Sequence, residues 1–172
     1  MLALLLALAA SGSPLPLDCP PGTSLAGGVP FEAYEAWCEG RPDAFGHLRR
    51  HGPARRFYDD GGVWVEERFD EGKRDGPFLE RHRNGRKARE GTYRQDEKVG
   101  TWTVWYEDGQ LEERSEWAAN LQHGPFTAWH RNGKKRTEGR FCHGVQCGTW
   151  ITWDDGGHEL GRMELADQQA QP

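Results

Sequence analysis

The stretch GPFLERHRNGRKAREGTY, residues 76–93, is written again as GPFTAWHRNGKKRTEGRF at residues 124–141. Repetition at a fixed spacing marks a repeat architecture, which must be resolved before any site is assigned. The spacing divides in two. Glycine stands at positions 52, 76, 100, 124 and 148, each 24 residues after the last. A second glycine follows at 61, 85, 109, 133 and 157, preceded by Asp60, Asn84, Asp108, Asn132 or Gly156. Asx-Gly between alternating segments is a strong hairpin signal, because a type I′ turn holds both central residues at positive φ. Each unit therefore reads as strand, two-residue turn, strand and a longer loop, with the repeated Arg-Asn-Gly at the bend.

Aromatic residues recur in the same frame. Two positions after the opening glycine come Ala54, Phe78, Trp102, Phe126 and Trp150. Seventeen positions after it come Phe69, Tyr93, Trp117, Phe141 and Leu165. Folding the hairpin at its turn puts these two columns on one face, and it puts Gly91 and Gly139 opposite Phe78 and Phe126. A glycine there leaves space for a ring to lie across the strand. Five positions after the opening glycine come Phe57, Arg81, Trp105, Trp129 and Trp153. By alternation this column points to the opposite face unless a bulge intervenes.

These features, G-x-[aromatic]-x-x-[aromatic]-x-x-[ND]-G followed by a further aromatic and a Gly-rich return, resemble the bacterial variant of the MORN repeat. The resemblance covers about residues 52–165, in units 52–75, 76–99, 100–123, 124–147 and 148–165. Ala54 and Arg81 depart from the aromatic pattern. The resemblance implies an all-β fold: an elongated single-layer antiparallel sheet of tandem hairpins. It also implies a scaffold or membrane-associated role, with an antitoxin-like role as the alternative. Residues 13–51, rich in Cys, Pro and Gly, are expected to form a disulfide-tied cap over an otherwise bare sheet edge. Residues 166–172 form a polar tail.

Composition fits this reading. The 172 residues suffice for about one domain. Glycine and aromatics are plentiful and aliphatics sparse, which favours strands and turns. The opening MLALLLALAASGS reads as a signal peptide over residues 1–12, although its n-region lacks Lys or Arg. Export suits the even count of four cysteines, Cys19, Cys38, Cys142 and Cys147. The expected pairs are the local ones, 19–38 and 142–147. A metal site using Cys142 and His143 is the rival, but its spacing matches no standard zinc pattern.

Charge alternates by unit. Residues 76–99 carry seven basic and four acidic side chains, residues 100–123 one and five, and residues 124–147 five and one. Cross-strand pairing between neighbouring units is the plain explanation. The sharper one is an anionic-ligand or membrane-surface patch built from Arg86, Lys87, Lys134 and Lys135 beside the Asn-Gly turns. The two halves of that patch lie about 20 Å apart at two strands per unit, too far to clamp one phosphate. The acidic Asp108 and Glu112 between them, and the net charge of -5, argue against nucleic acid.

No nucleophile elbow, phosphate loop, paired carboxylates or dinucleotide fingerprint is present. His82 and His130 share one repeat position, in a column with Tyr58 and Tyr106, and are expected to be half-exposed ring packers. His51 and His123 each precede an opening glycine and belong to the loop grammar. No cofactor or metal is expected. The expected function is an exported, non-enzymatic binding or scaffold module contacting a protein or envelope partner. Trp105, Trp129 and Trp153 are its candidate surface; a hydrolase of envelope polymers is the least favoured reading.

Overall fold

The computed structural model describes residues 17–28 and 34–166. The expected signal peptide and most of the polar tail lie outside the described residues. The strands are β1 (Ser24–Gly27), β2 (Glu35–Pro42), β3 (Leu48–Phe57), β4 (Val63–Asp70), β5 (Lys73–Arg74), β6 (Gly76–Arg81) and β7 (Lys87–Arg94). There follow β8 (Glu97–Trp105), β9 (Leu111–Ala118), β10 (Leu121–Trp129), β11 (Lys135–Cys142), β12 (Val145–Trp153) and β13 (Glu159–Leu165). All join one open antiparallel sheet in chain order, except that the two-residue β5 pairs only with β4. No helix occurs among the described residues. β3 begins at Leu48, so the cap runs into the first repeat along a single strand.

The hairpin bends fall where the sequence puts them, but their type differs from expectation. In the second unit the closing pair is His82 and Arg86: His82 N–H donates to Arg86 C=O, and Gly85 N–H donates back to His82 C=O. Three residues, not two, lie between the closing pair. This is a type I turn followed by a residue in the left-handed region. Only the glycine has positive φ, +80° at both Gly85 and Gly133. The Asx side chain has a separate task. Asn84 Oδ1 accepts the N–H of Arg86 at 3.0 Å, and Asp60, Asp108 and Asn132 do the same in their own turns. The longer loop means one β-bulge residue opposite each bend, as at Ala88 between the pairs Glu80–Arg89 and Arg81–Lys87.

The two-residue turns lie at the other edge, between units. Glu71-Gly72, Gln95-Asp96, Ala119-Asn120 and His143-Gly144 each carry positive φ at both residues. They connect the directly paired Asp70–Lys73, Arg94–Glu97, Ala118–Leu121 and Cys142–Val145. These are the type I′ turns, placed where a longer loop was expected.

Both cystine bridges form as the local pairs. Cys19–Cys38 ties the chain ahead of β1 to β2 with Cα atoms 5.5 Å apart, and Cys142–Cys147 spans the last type I′ turn at 5.8 Å. No described cysteine is free.

The two aromatic columns share one face, as alternation requires. Phe78, Tyr93 and Trp102 form a buried cluster with Val65, and Trp64 and Trp117 pack against it. Phe126, Phe141 and Trp150 repeat the same arrangement 48 residues on, with ring centroids 5.1–5.5 Å apart. Phe78 pairs with Gly91 and Phe126 with Gly139. The ring that needs the vacated space, however, comes from the strand on the other side. A Cβ on Gly91 would lie 2.2 Å from Trp102, and one on Gly139 would lie 2.3 Å from Trp150. Each indole covers the glycine of the preceding unit, so the core is built between repeats.

Candidate functional site

Trp105, Trp129 and Trp153 end β8, β10 and β12, two residues short of the Asp108-Gly109, Asn132-Gly133 and Gly156-Gly157 bends. Alternation from Trp102 through Val104 puts Trp105 on the face opposite the aromatic core. The bulge falls on the partner strand: Trp105 pairs with Leu111, skipping Glu112, so the tryptophan keeps its face. Trp129 pairs with Lys135 and Trp153 with Glu159 in the same register. The three rings therefore form one row, half-buried, on strands about 10 Å apart at two strands per unit.

The backbone of the row is tied to the preceding repeat by a second column. His82 Nε2 lies 2.8 Å from the carbonyl of Trp105, Tyr106 Oη donates to the carbonyl of Trp129 at 2.8 Å, and His130 Nε2 lies 2.9 Å from the carbonyl of Trp153. A carbonyl only accepts, so both imidazoles carry their proton on Nε2. Tyr58 Oη does the same for Arg81 at 2.7 Å. This column consists of inter-repeat struts, a stronger role than ring packing. His51 and His123 play a similar part at the opposite edge, where their Nδ1 atoms face the N–H groups of Glu71 and His143 at 3.5 and 3.4 Å.

Indole donors separate the structural tryptophans from the row. Trp37, Trp64, Trp117 and Trp150 donate to Glu39, Glu80, Ser115 and the Arg140 carbonyl, and the Trp102 N–H is buried without a partner. Among the described residues, the N–H groups of Trp105, Trp129 and Trp153 have no protein acceptor and are not sealed in the interior.

The basic residues divide into two sets. Arg86 donates to the carbonyl of Asp108 and Lys134 to that of Gly156, each clamping its own turn to the next. Asn84 and Asn132 reinforce the clamps through the carbonyls of Glu107 and Asp155. Lys87 and Lys135 instead lie over rings of the tryptophan row, with Nζ 5.5 Å from the Trp105 centroid and 5.9 Å from the Trp153 centroid. Each is ion-paired three residues along its own strand, Lys87 with Glu90 and Lys135 with Glu138. Each of the four cations has a partner within the sheet. Unit-to-unit pairing accounts for further charge: Arg83 meets Asp59 at 2.5 Å, Arg81 meets Glu66 at 3.1 Å and Arg131 meets Asp108 at 4.0 Å. The hydrogen bond from Arg83 holds the Asp59 carboxyl below its ordinary range.

Beside Trp105 the same face is hollowed. Pro77, Leu79, Glu90, Thr92, Thr101 and Thr103 line a shallow depression, and Glu90 joins it to Lys87. One metal-sized cluster exists among the described residues, His51 with Asp70 and Glu71. Both acids are exposed, and His51 Nδ1 already faces the Glu71 N–H.

A single open sheet of stacked hairpins, each buried against its neighbours, defines a tandem β-hairpin repeat protein. The family model of the MORN repeat variant matches residues 98–118, which form most of the β8–β9 hairpin. The other three Asx-Gly hairpins and the Gly156-Gly157 hairpin repeat its register. No curated protein matches the chain.

Proposed function

We propose that this protein is an exported, non-enzymatic binding module that grips a partner on the face bearing Trp105, Trp129 and Trp153. The open row of indole donors carries the reading. Tryptophan is the residue type most enriched at binding hot spots, combining a large apolar face with a polar handle. Here the backbone carbonyls of all three tryptophans are tied to the preceding repeat, while the opposite face holds the core. A repeat-based scaffold role fits the MORN repeat variant at residues 98–118. Two disulfides suit an oxidising, exported location.

The test is capture from an envelope extract by the oxidised protein, set against a Trp105→Ala/Trp129→Ala/Trp153→Ala variant. A partner should be retained by the wild type and lost by the variant, with near-ultraviolet circular dichroism showing the core aromatics still packed. Equal capture by both would place binding elsewhere.

A further inference from the structure

We propose that the Trp105–Trp129–Trp153 row takes a proline-rich segment in the polyproline II conformation, one turn of the ligand per repeat. The inference rests on the reading above that this is the binding face. Period is the first argument. The polyproline II helix has three residues per turn and rises about 3.1 Å per residue, so every third residue returns to one side after about 9.3 Å. Successive rings of the row are about 9.6 Å apart at two strands of about 4.8 Å per repeat. A β-strand presents same-face residues every 6.6–6.8 Å or so and drifts out of step with the row within one repeat.

Donors are the second argument. Polyproline II makes no internal hydrogen bonds, so its carbonyls are free to accept. The row offers three indole N–H groups without protein acceptors among the described residues. An α-helix has a surface period near 10.5 Å over seven residues, yet its carbonyls are occupied, and the three donors would be covered without partners. Charge is the third argument. Lys87 and Lys135, which lie over the Trp105 and Trp153 rings and leave the other side of each indole for a ligand, are neutralised by Glu90 and Glu138, which suits an uncharged ligand better than an acidic one. Proline rings packing on indole faces, with the carbonyls between them on Nε1, satisfy both properties of the row.

The experiment is a tryptophan-fluorescence titration of the oxidised full chain with a polyproline peptide of about nine residues, long enough for three turns. A glycine-serine peptide of equal length and a β-1,4-linked N-acetylglucosamine oligomer serve as comparisons. Saturable binding to polyproline alone is expected. Trp105→Ala, Trp129→Ala and Trp153→Ala should each weaken it roughly tenfold. Trp129→Phe, which keeps a ring but removes the donor, should fall between wild type and Trp129→Ala. Absence of polyproline binding, or equal binding by the alanine variants, would overturn the proposal. Length-dependent binding of the oligosaccharide alone would replace the peptide with a glycan. Either result, combined with Trp-dependent capture from envelope extract, leaves the binding-face reading intact; loss of that dependence removes both.

Discussion

Residues 76–105 and 124–153 are two copies of one structure set at different depths in the sheet. Each has an aromatic trio, a glycine under an indole, an Asn-Gly bend clamped to the next bend, and a lysine beside a tryptophan of the row. The surroundings differ. In the first copy Arg74 lies 4.0 Å from the Tyr93 centroid, and Lys98 lies 4.4 and 4.3 Å from Trp102 and Trp117. Burial between those rings pushes the Lys98 ammonium below its usual range. In the second copy the same positions hold Gln122 and Gln146, and Phe126 and Phe141 are only half-buried. There Cys142 and Cys147 replace Arg94 and Val99 with a covalent bridge. An interior repeat is held by its neighbours. One near the open edge has fewer of them, and here a crosslink takes their place.

The largest expected break in this comparison comes from filling the space under the indoles. Gly91→Ala puts a Cβ 2.2 Å from Trp102, which is buried and backed by further strands. It should cost about 3 kcal/mol, the upper end for overpacking. Gly139→Ala meets Trp150 at 2.3 Å, but only β13 lies beyond that ring, so relaxation is easier and about 2 kcal/mol is expected. Urea midpoints decide it. An equal or larger loss at Gly139 would mean that the two copies do not differ in rigidity.

Next is the bridge. Cys142→Ser with Cys147→Ser should cost about 2 kcal/mol, since the closed loop is short. Amide exchange should quicken first around Trp150 and Trp153 and remain slow at Trp102. Uniform acceleration along the sheet would show that the bridge stabilises the whole molecule, not its open end. Gly85→Val and Gly133→Val are the internal control. Both residues sit at φ +80°, and forcing a β-branched residue there costs roughly 1–2 kcal/mol at either site. A clear difference between them would show that the bends also respond to depth.

The sequence locates every Asx-Gly bend and both aromatic columns, because those depend on local turn chemistry and on period. It misjudges which bends are type I′. Gln95-Asp96 and Ala119-Asn120 take positive φ without any glycine, so their mark is weak, a single Asx in the second place. The bend at Asn84-Gly85 has the Asx-Gly mark, yet its closing pair, His82 with Arg86, admits a third residue. Loop length is a matter of register, which the flanking strands settle. The site is partly legible for the same reason. Repeat position alone puts Trp105, Trp129 and Trp153 in one row. Repeat position cannot separate Arg86 from Lys87, which adjoin in sequence but meet a turn carbonyl and a ring. Nor does it distinguish an indole with an acceptor from one without, since that depends on what lies opposite.

A smaller effect tests the cation cover directly. Lys98→Gln gives the first copy the side chain that the second carries at Gln146. The lost cation–π contacts predict about 0.5–1 kcal/mol, visible as a fall in the urea midpoint and faster exchange at Trp102 and Trp117. No change would mean that the cover is incidental and that burial alone separates the copies.

The smallest effect concerns acid. Asp96 Oδ1 accepts the backbone N–H of Arg74 at 3.0 Å and its Nε at 3.1 Å. The backbone bond chiefly, with help from the guanidinium, holds the carboxyl below its ordinary range. A carboxyl lowered by folding contributes stability above its unfolded pKa of about 3.9, and the contribution disappears as pH falls through the folded value. One repeat on, Asn120 Oδ1 accepts the backbone N–H of Lys98 at 2.8 Å, the same bond without a titrating group. Asp96→Asn should therefore keep the turn and forfeit only the charge. Asp96 is nearly half exposed, so the loss at neutral pH should be small. That loss should shrink as pH falls below about 4 and vanish once pH has passed the lowered folded value, where the wild-type carboxyl is also uncharged. Asp43, Asp59 and Asp154 are lowered as well, so both proteins weaken in acid and only their difference is informative. Urea midpoints at pH 7 and pH 3 measure it. A gap that persists or widens at low pH would show that the Arg74 backbone bond, not the charge, is what asparagine fails to reproduce.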